Sequence, residues 1–117
     1  MVSIMAKQPL DLDLELYEII FPGKLVGKAV IDANARMIGV IRNIRIQIPS
    51  SNIILVVKGL DTEFTVNSND IQAIGNIVQL NVTIKHSEPI EINDIIHLRN
   101  EIQEEIVHFF QVIQSRK

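Results

Sequence analysis

The sequence predicts a mainly-β domain of five to six short antiparallel strands, a small barrel or sandwich, followed by one long C-terminal α-helix. Three observations predict it. Apolar and polar residues alternate over short stretches, as on strands whose side chains point to opposite faces in turn. Turn-forming clusters separate those stretches at short intervals: Pro22-Gly23, Pro49-Ser50-Ser51-Asn52 and Gly59-Leu60-Asp61. From about Asn93 to Ser115 the apolar spacing then lengthens to the roughly 3.6-residue period of a helix.

Residues 1–8 are expected to be an untethered tail, 9–86 the β domain and 87–117 the helix. The run Leu10 to Tyr17 alternates strictly, which favours a strand with an acidic outer face, although Leu and Glu are also good helix formers. Leu25 to Ile31 forms the next strand, and Asp32-Ala33-Asn34-Ala35 turns into a central hairpin over residues 37–57. In the hairpin's first strand Ile38, Val40, Ile44, Ile46 and Ile48 share one face, with Asn43, Arg45 and Gln47 on the other. The pattern points one face at a core and the other at water. Arg42 falls on the apolar side, so either a bulge shifts the register there or its guanidinium reaches solvent at a barrel mouth. Ile53 to Val57 is apolar on both faces, as in a strand covered from both sides.

Glu63 to Val66 forms a short strand with Phe64 and Val66 facing in. Ser68-Asn69-Asp70 is capping chemistry, which predicts one helical turn over Ile71 to Ile74, ended by Gly75 at positive φ. The last strand is expected from Ile77 to about Lys85, with Val78, Leu80, Val82 and Ile84 on one face. Gly39, inside a strand, suits the sharp coiling that a small barrel requires.

The helix carries two apolar rows. Ile95, Leu98, Ile102, Ile106, Phe109 and Ile113 form the first, and Ile92, Ile96, Val107 and Phe110 the second. Together they cover close to half the circumference, more than one face of a small domain needs. One row is expected on the protein's own domain and the other on the same helix of a second copy, so these ten residues form the candidate dimer interface. A monomer with the helix lying in a groove is the alternative. Asn93 or Asp94 caps the start, Ser87-Glu88-Pro89 is an alternative opening, and Arg116 and Lys117 suit the negative end of the helix dipole.

A chain of 117 residues holds one core, and nearly half its residues are apolar, which excludes a disordered chain. The net charge of −3 and the scarcity of aromatic residues argue against nucleic acid as a partner. Arg36, Arg42, Arg45 and Lys58 form the one basic concentration, which leaves an RNA-binding or ribosome-assembly role as the alternative reading. With no cysteine there is no disulfide, thiol nucleophile or Cys-ligated metal, which fits a reducing cytoplasm. No signal-peptide core is visible and no apolar run approaches the roughly 20 residues of a membrane span, so a soluble protein without membrane insertion is expected.

The remaining chemistry is sparse. His97 and His108 stand eleven residues apart on the helix, about 16 Å of rise, too far to share a metal, and His86 sits in the linker. Asp11, Asp13 and Glu15 resemble the start of a calcium loop, but Leu16 stands where the loop needs glycine and Pro22 where it needs glutamate. These acidic residues read instead as the wet side of a strand and, together with Arg42 and Arg45, as a candidate docking surface for another protein. Ser50 and Ser51 are explained by turn chemistry, and the five glycines include no phosphate-binding loop. No catalytic residue, metal site or cofactor is assigned.

Four stretches, taken in order, resemble the PRC-barrel family. Gly27-Lys28-Ala29-Val30-Ile31-Asp32 is similar to the family's first strand and acidic turn, and Met37-Ile38-Gly39-Val40-Ile41-Arg42-Asn43-Ile44 to its Ile-Gly-x-Val stretch. Paired strands ending in Leu55-Val56-Val57 follow, and the run Asp70 to Leu80 is similar to its Asp-Ile-x-x-Ile-Gly motif and last strand. Where members often carry glycine in the turn before the Ile-Gly stretch, this chain has Ala33-Asn34-Ala35-Arg36. The resemblance covers about half the chain and implies a small β-barrel for binding and assembly, without catalysis. Among its branches, the chain looks most like stand-alone archaeal proteins that dimerise and help tether the division ring. A homodimeric adaptor is therefore expected, with a second protein of the cell-division machinery as its further partner.

Overall fold

The computed structural model describes residues 12–18, 20–85 and 88–115, with helix side chains described as far as Gln111. The expected tail over residues 1–8, Asp11, His86, Ser87, the side chain of Ile113, Arg116 and Lys117 lie outside the described residues. Seven strands form one sheet: β1 Leu12–Leu16, β2 Ala29–Ile31, β3 Met37–Ile48, β4 Asn52–Lys58, β5 Glu63–Asn67, β6 Ile71–Ile74 and β7 Val78–Leu80. A 24-residue helix, α1 Ile92–Ser115, ends the chain.

The mainly-β class with a terminal helix is as expected, but the closed antiparallel barrel is not. The sheet runs β5-β4-β3-β2-β7-β6, with β1 pairing β3 off this path, and no ladder joins β5 to β6. β2 and β7 are parallel, Val30 opposite Val78, so the sheet is mixed. Parallel pairing joins segments far apart in the chain and leaves no local turn signature to read.

β3 organises the sheet. One of its edges takes β2 over Met37–Val40 and then β1 over Ile44–Ile48, while the other takes β4 over Val40–Gln47. Two irregularities bend it. Against β2 the register skips Ile38, and against β4 it steps from Ile41 to Asn43 while β4 steps only from Val57 to Val56. Arg42 is therefore the extra residue of a bulge, the first of the two explanations its position allowed. Gly39 sits where a Cβ would meet the Lys58 carbonyl oxygen at 2.6 Å and Val57 Cγ1 at 2.7 Å, so β3 and β4 approach too closely for any side chain.

Several local expectations are corrected: the strand expected over Leu25 to Ile31 is only Ala29–Ile31, and the one expected from Ile77 to about Lys85 is only Val78–Leu80, which leaves Val82 and Ile84 outside strand. The Ser68–Asp70 segment is a 3-10 turn capped by Asn67, whose side chain accepts from the Asn69 N–H, and Ile71–Ile74 is strand rather than helix. The cap chemistry was real, but the β-branched Ile71 and Ile74 pair with β7 instead of winding on. Gly75 is not at positive φ; Gly27 is, at 94°. An added Cβ on Gly27 would also strike the Phe21 ring at 2.9 Å, so both conformation and space require glycine there.

The core joins sheet and helix. Val30, Val40, Ile41, Val57, Val78 and Leu80 are fully buried together with Ile102, and Ile95, Leu98 and Ile106 pack in the same cluster. The helix opens at Glu91, whose carbonyl accepts the first helical bond from the Ile95 N–H at 3.1 Å, while the Asp94 carboxylate accepts from the Glu91 N–H at 2.9 Å. Arg99 Nε donates to the Gly27 carbonyl at 2.6 Å and ties the helix to the loop before β2.

Candidate interaction surface

Beyond the Arg42 bulge, the outer half of β3 forms a three-stranded wing with β1 and the start of β4. Residues directly opposite in a ladder share a face. The pairs Leu12–Ile48, Leu14–Ile46, Leu16–Ile44 and Ile46–Ile53 thus place seven aliphatic side chains on one face. Leu55, opposite Ile44, continues that face inward and is fully buried, so the wing prolongs the core out of the body. It is not covered there: Leu12 is 61% exposed, Leu14 40%, Leu16 43%, Ile48 46% and Ile53 42%, with Ile44 and Ile46 half-buried. The alternation in β3 foretold the shared face of Ile44, Ile46 and Ile48, but the bulge at Arg42 puts Val40 and Ile38 on the opposite side, and the outer half lies open rather than in the core.

The opposite face of the wing is polar and internally matched. Arg45 Nη2 meets Asp13 Oδ2 at 3.2 Å, and Asn43 Nδ2 donates to Glu15 Oε2 at 3.0 Å and to the Tyr17 hydroxyl oxygen at 3.2 Å. Asp13 and Glu15, expected to offer free carboxylates, instead hold β1 to β3. Asn43 is fully buried, and its Oδ1 has no hydrogen-bond donor. The Tyr17 ring packs on Phe109 with centroids 5.4 Å apart, which fastens the end of β1 to the helix.

Arg42 is the hub between sheet and helix. Its Nε donates to Glu105 Oε1 at 2.9 Å, and its Nη1 reaches Glu63 Oε2 at 3.2 Å. Lys58 adds contacts to Glu105 at 3.4 Å and Glu101 at 3.7 Å. The hydrogen bond and charge of Glu105 raise the Arg42 pKa against the effect of burial. Burial pushes the Glu105 carboxyl up, but Arg42 and Lys58 outweigh it and hold it below its ordinary value. Arg36 pairs with the fully buried Asp32 at 2.9 Å. Each of the four cations in the basic concentration thus has a carboxylate of its own, which leaves little unmatched positive potential for a phosphate backbone.

Of the ten helix residues named as a dimer interface, Ile95, Leu98, Ile102 and Ile106 are buried in the core of their own chain, and Phe110 packs against it. Ile92 at 71%, Ile96 at 53% and Val107 at 49% are exposed, while Phe109 is part-covered by Tyr17. The rows divide inward and outward as the spacing suggested as far as Val107, but the phenylalanines exchange sides: Phe109 of the first row is exposed and Phe110 of the second packs on the core. His97 and His108 lie exposed on the helix, and no group of metal-ligating side chains occurs among the described residues.

The loop-fastening roles of two carboxylates, the half-buried Glu18 and the buried Asp32, escaped sequence reasoning. Glu18 accepts from the backbone N–H groups of Lys24, Leu25 and Val26 at 2.8, 2.7 and 2.7 Å. Burial raises its carboxyl, but those three donors and Lys28 bring it below the ordinary value. A Cβ on Gly23 would collide with this carboxylate at 2.5 Å, and the Pro22-Gly23 pair was the available signal. Asp32 accepts from the Asn34 and Arg36 N–H groups at 2.9 and 3.0 Å and from Arg36 Nε at 3.0 Å. Burial again pushes up, and Arg36 and Asn34 together hold the carboxyl below its usual range. Both carboxylates fasten loops of the body, away from the wing.

Comparison with protein-family models and with curated proteins gives no match to this chain. No described helix is long and apolar enough to cross a membrane.

Proposed function

We propose that this protein is a non-catalytic adaptor that works as a homodimer, of the PRC-barrel type, and links a further protein of the archaeal cell-division machinery. The observation that carries the reading is the uncovered aliphatic face of the wing. Soluble monomers rarely leave a contiguous apolar surface of several hundred Å² in water, and such surfaces mark association sites. The four stretches that carry the family resemblance support it too, since they form β2, the first half of β3, the end of β4 and β6–β7, all adjoining strands of the body. Arg42 and Arg45 are engaged with Glu63, Glu105 and Asp13 in holding β5, α1 and β1 to the sheet. Light scattering of the full chain at micromolar concentration tests the reading. A mass twice the 13.2 kDa of the chain is expected, and the mass of one chain would contradict it.

A further inference from the structure

We infer that the homodimer forms through the wing, with the aliphatic face of β1, β3 and β4 packed against the same face of a second copy. This rests on the homodimer reading and says which surface makes it. Five of the seven side chains are about half exposed, which amounts to on the order of 400 Å² of aliphatic surface per copy. A standard interface takes about 800 Å² from each partner, roughly half of it apolar. The wing thus supplies the apolar centre of such an interface, and the polar margins of its strands supply the rim.

Charge selects a second copy as the occupant. No ionisable group lies among the seven, so turning the face onto itself brings no like charges together. A flat aliphatic face meets its own two-fold image without a complementary pattern having to be supplied by another protein. The competing ways to pair are less favourable. Among the described residues β1 pairs only with β3, but antiparallel pairing of its other edge with its own image sets carboxylates against each other. Centring the pair on Leu14 opposes Asp13 to Glu15, and centring it on either acid opposes that acid to itself. On the helix, the described part of the outward row is interrupted: exposed Asn100 and Gln103 stand between Ile96 and Val107, which lie about 16 Å apart.

The absence of cysteine allows a direct test on the full chain. Leu14→Cys, Ile46→Cys and Ile96→Cys are made singly, checked for unchanged circular dichroism, and oxidised mildly. At least one of the two wing variants should shift, on a non-reducing gel, to twice the 13.2 kDa chain mass, and Ile96→Cys should remain at it. Cross-linking at Ile96→Cys that equals or exceeds that on the wing overturns the inference and leaves the homodimer standing. A dimer in light scattering with no cross-link on the wing does the same. If light scattering finds one chain mass, inference and homodimer fall together.

Discussion

At the scale of single residues, the structure depends on groups whose importance lies in what they touch. Asp32 is a fully buried carboxylate held by Arg36 and two backbone N–H groups. Removing it leaves the Asn34 and Arg36 backbone donors unmatched and takes the carboxylate from the Arg36 guanidinium, which keeps the Ile84 carbonyl, so Asp32→Ala should cost about 3 kcal/mol in denaturant unfolding. The pH dependence follows with a definite sign. Asp32, Glu18 and Glu105 all bind protons less readily in the folded chain than in the unfolded one. Their contribution is therefore complete above the ordinary carboxyl values near about 4 and is lost as pH falls through the lower folded values. Unfolding midpoints measured from pH 6 downward should drop in that acid range, and less steeply in Asp32→Ala. Gly39→Ala should destabilise by roughly 1–3 kcal/mol, since the new methyl group meets a backbone carbonyl that cannot turn away. Gly39 stood out in the sequence as a glycine inside a strand, though the expected reason was barrel coiling and the observed one is its close approach to β4. Glu18 did not stand out, because a carboxylate that folds back on backbone donors six to eight residues later has no periodic signature.

At the scale of elements, periodicity was the reliable guide and pairing the unreliable one. The helix was legible to within a residue of its start because Ile95, Leu98, Ile102 and Ile106 recur at helical spacing and are the residues the core takes up. Strand β3 was legible for the same reason at period two, and the misfit of Arg42 marked the bulge. What local pattern does not carry is which strands lie side by side. The parallel β2–β7 pair, the placing of β1 and β2 on one edge of β3, and the gap between β5 and β6 all depend on contacts distant in sequence. The burial pattern makes the helix a structural part of the domain and not an appendage. Four buried aliphatic side chains contribute roughly 6–12 kcal/mol, comparable with the whole stability of a domain this size. A chain ending before Ile92 should consequently lose cooperative thermal unfolding in calorimetry; a retained sharp transition would show that the sheet stands without it.

At the scale of the whole molecule, two halves of one sheet have different fates. The inner half is covered by α1, while the wing carries the same aliphatic pattern into the open. From the sequence the two halves look alike, since alternation tells which side chains share a face but not whether anything covers it. The acidic strand β1 was expected to offer its carboxylates to a partner; Asp13 and Glu15 are bonded to Arg45 and Asn43 of β3, and Leu12, Leu14 and Leu16 are exposed on the other face. The central claim is that this open face joins two chains. Sedimentation velocity of the wild-type chain beside a Leu14→Lys/Ile46→Lys variant of unchanged circular dichroism tests it most directly. The account predicts twice the 13.2 kDa chain mass for the wild type and a single chain mass for the variant; a wild-type monomer, or a variant that stays dimeric, would contradict it.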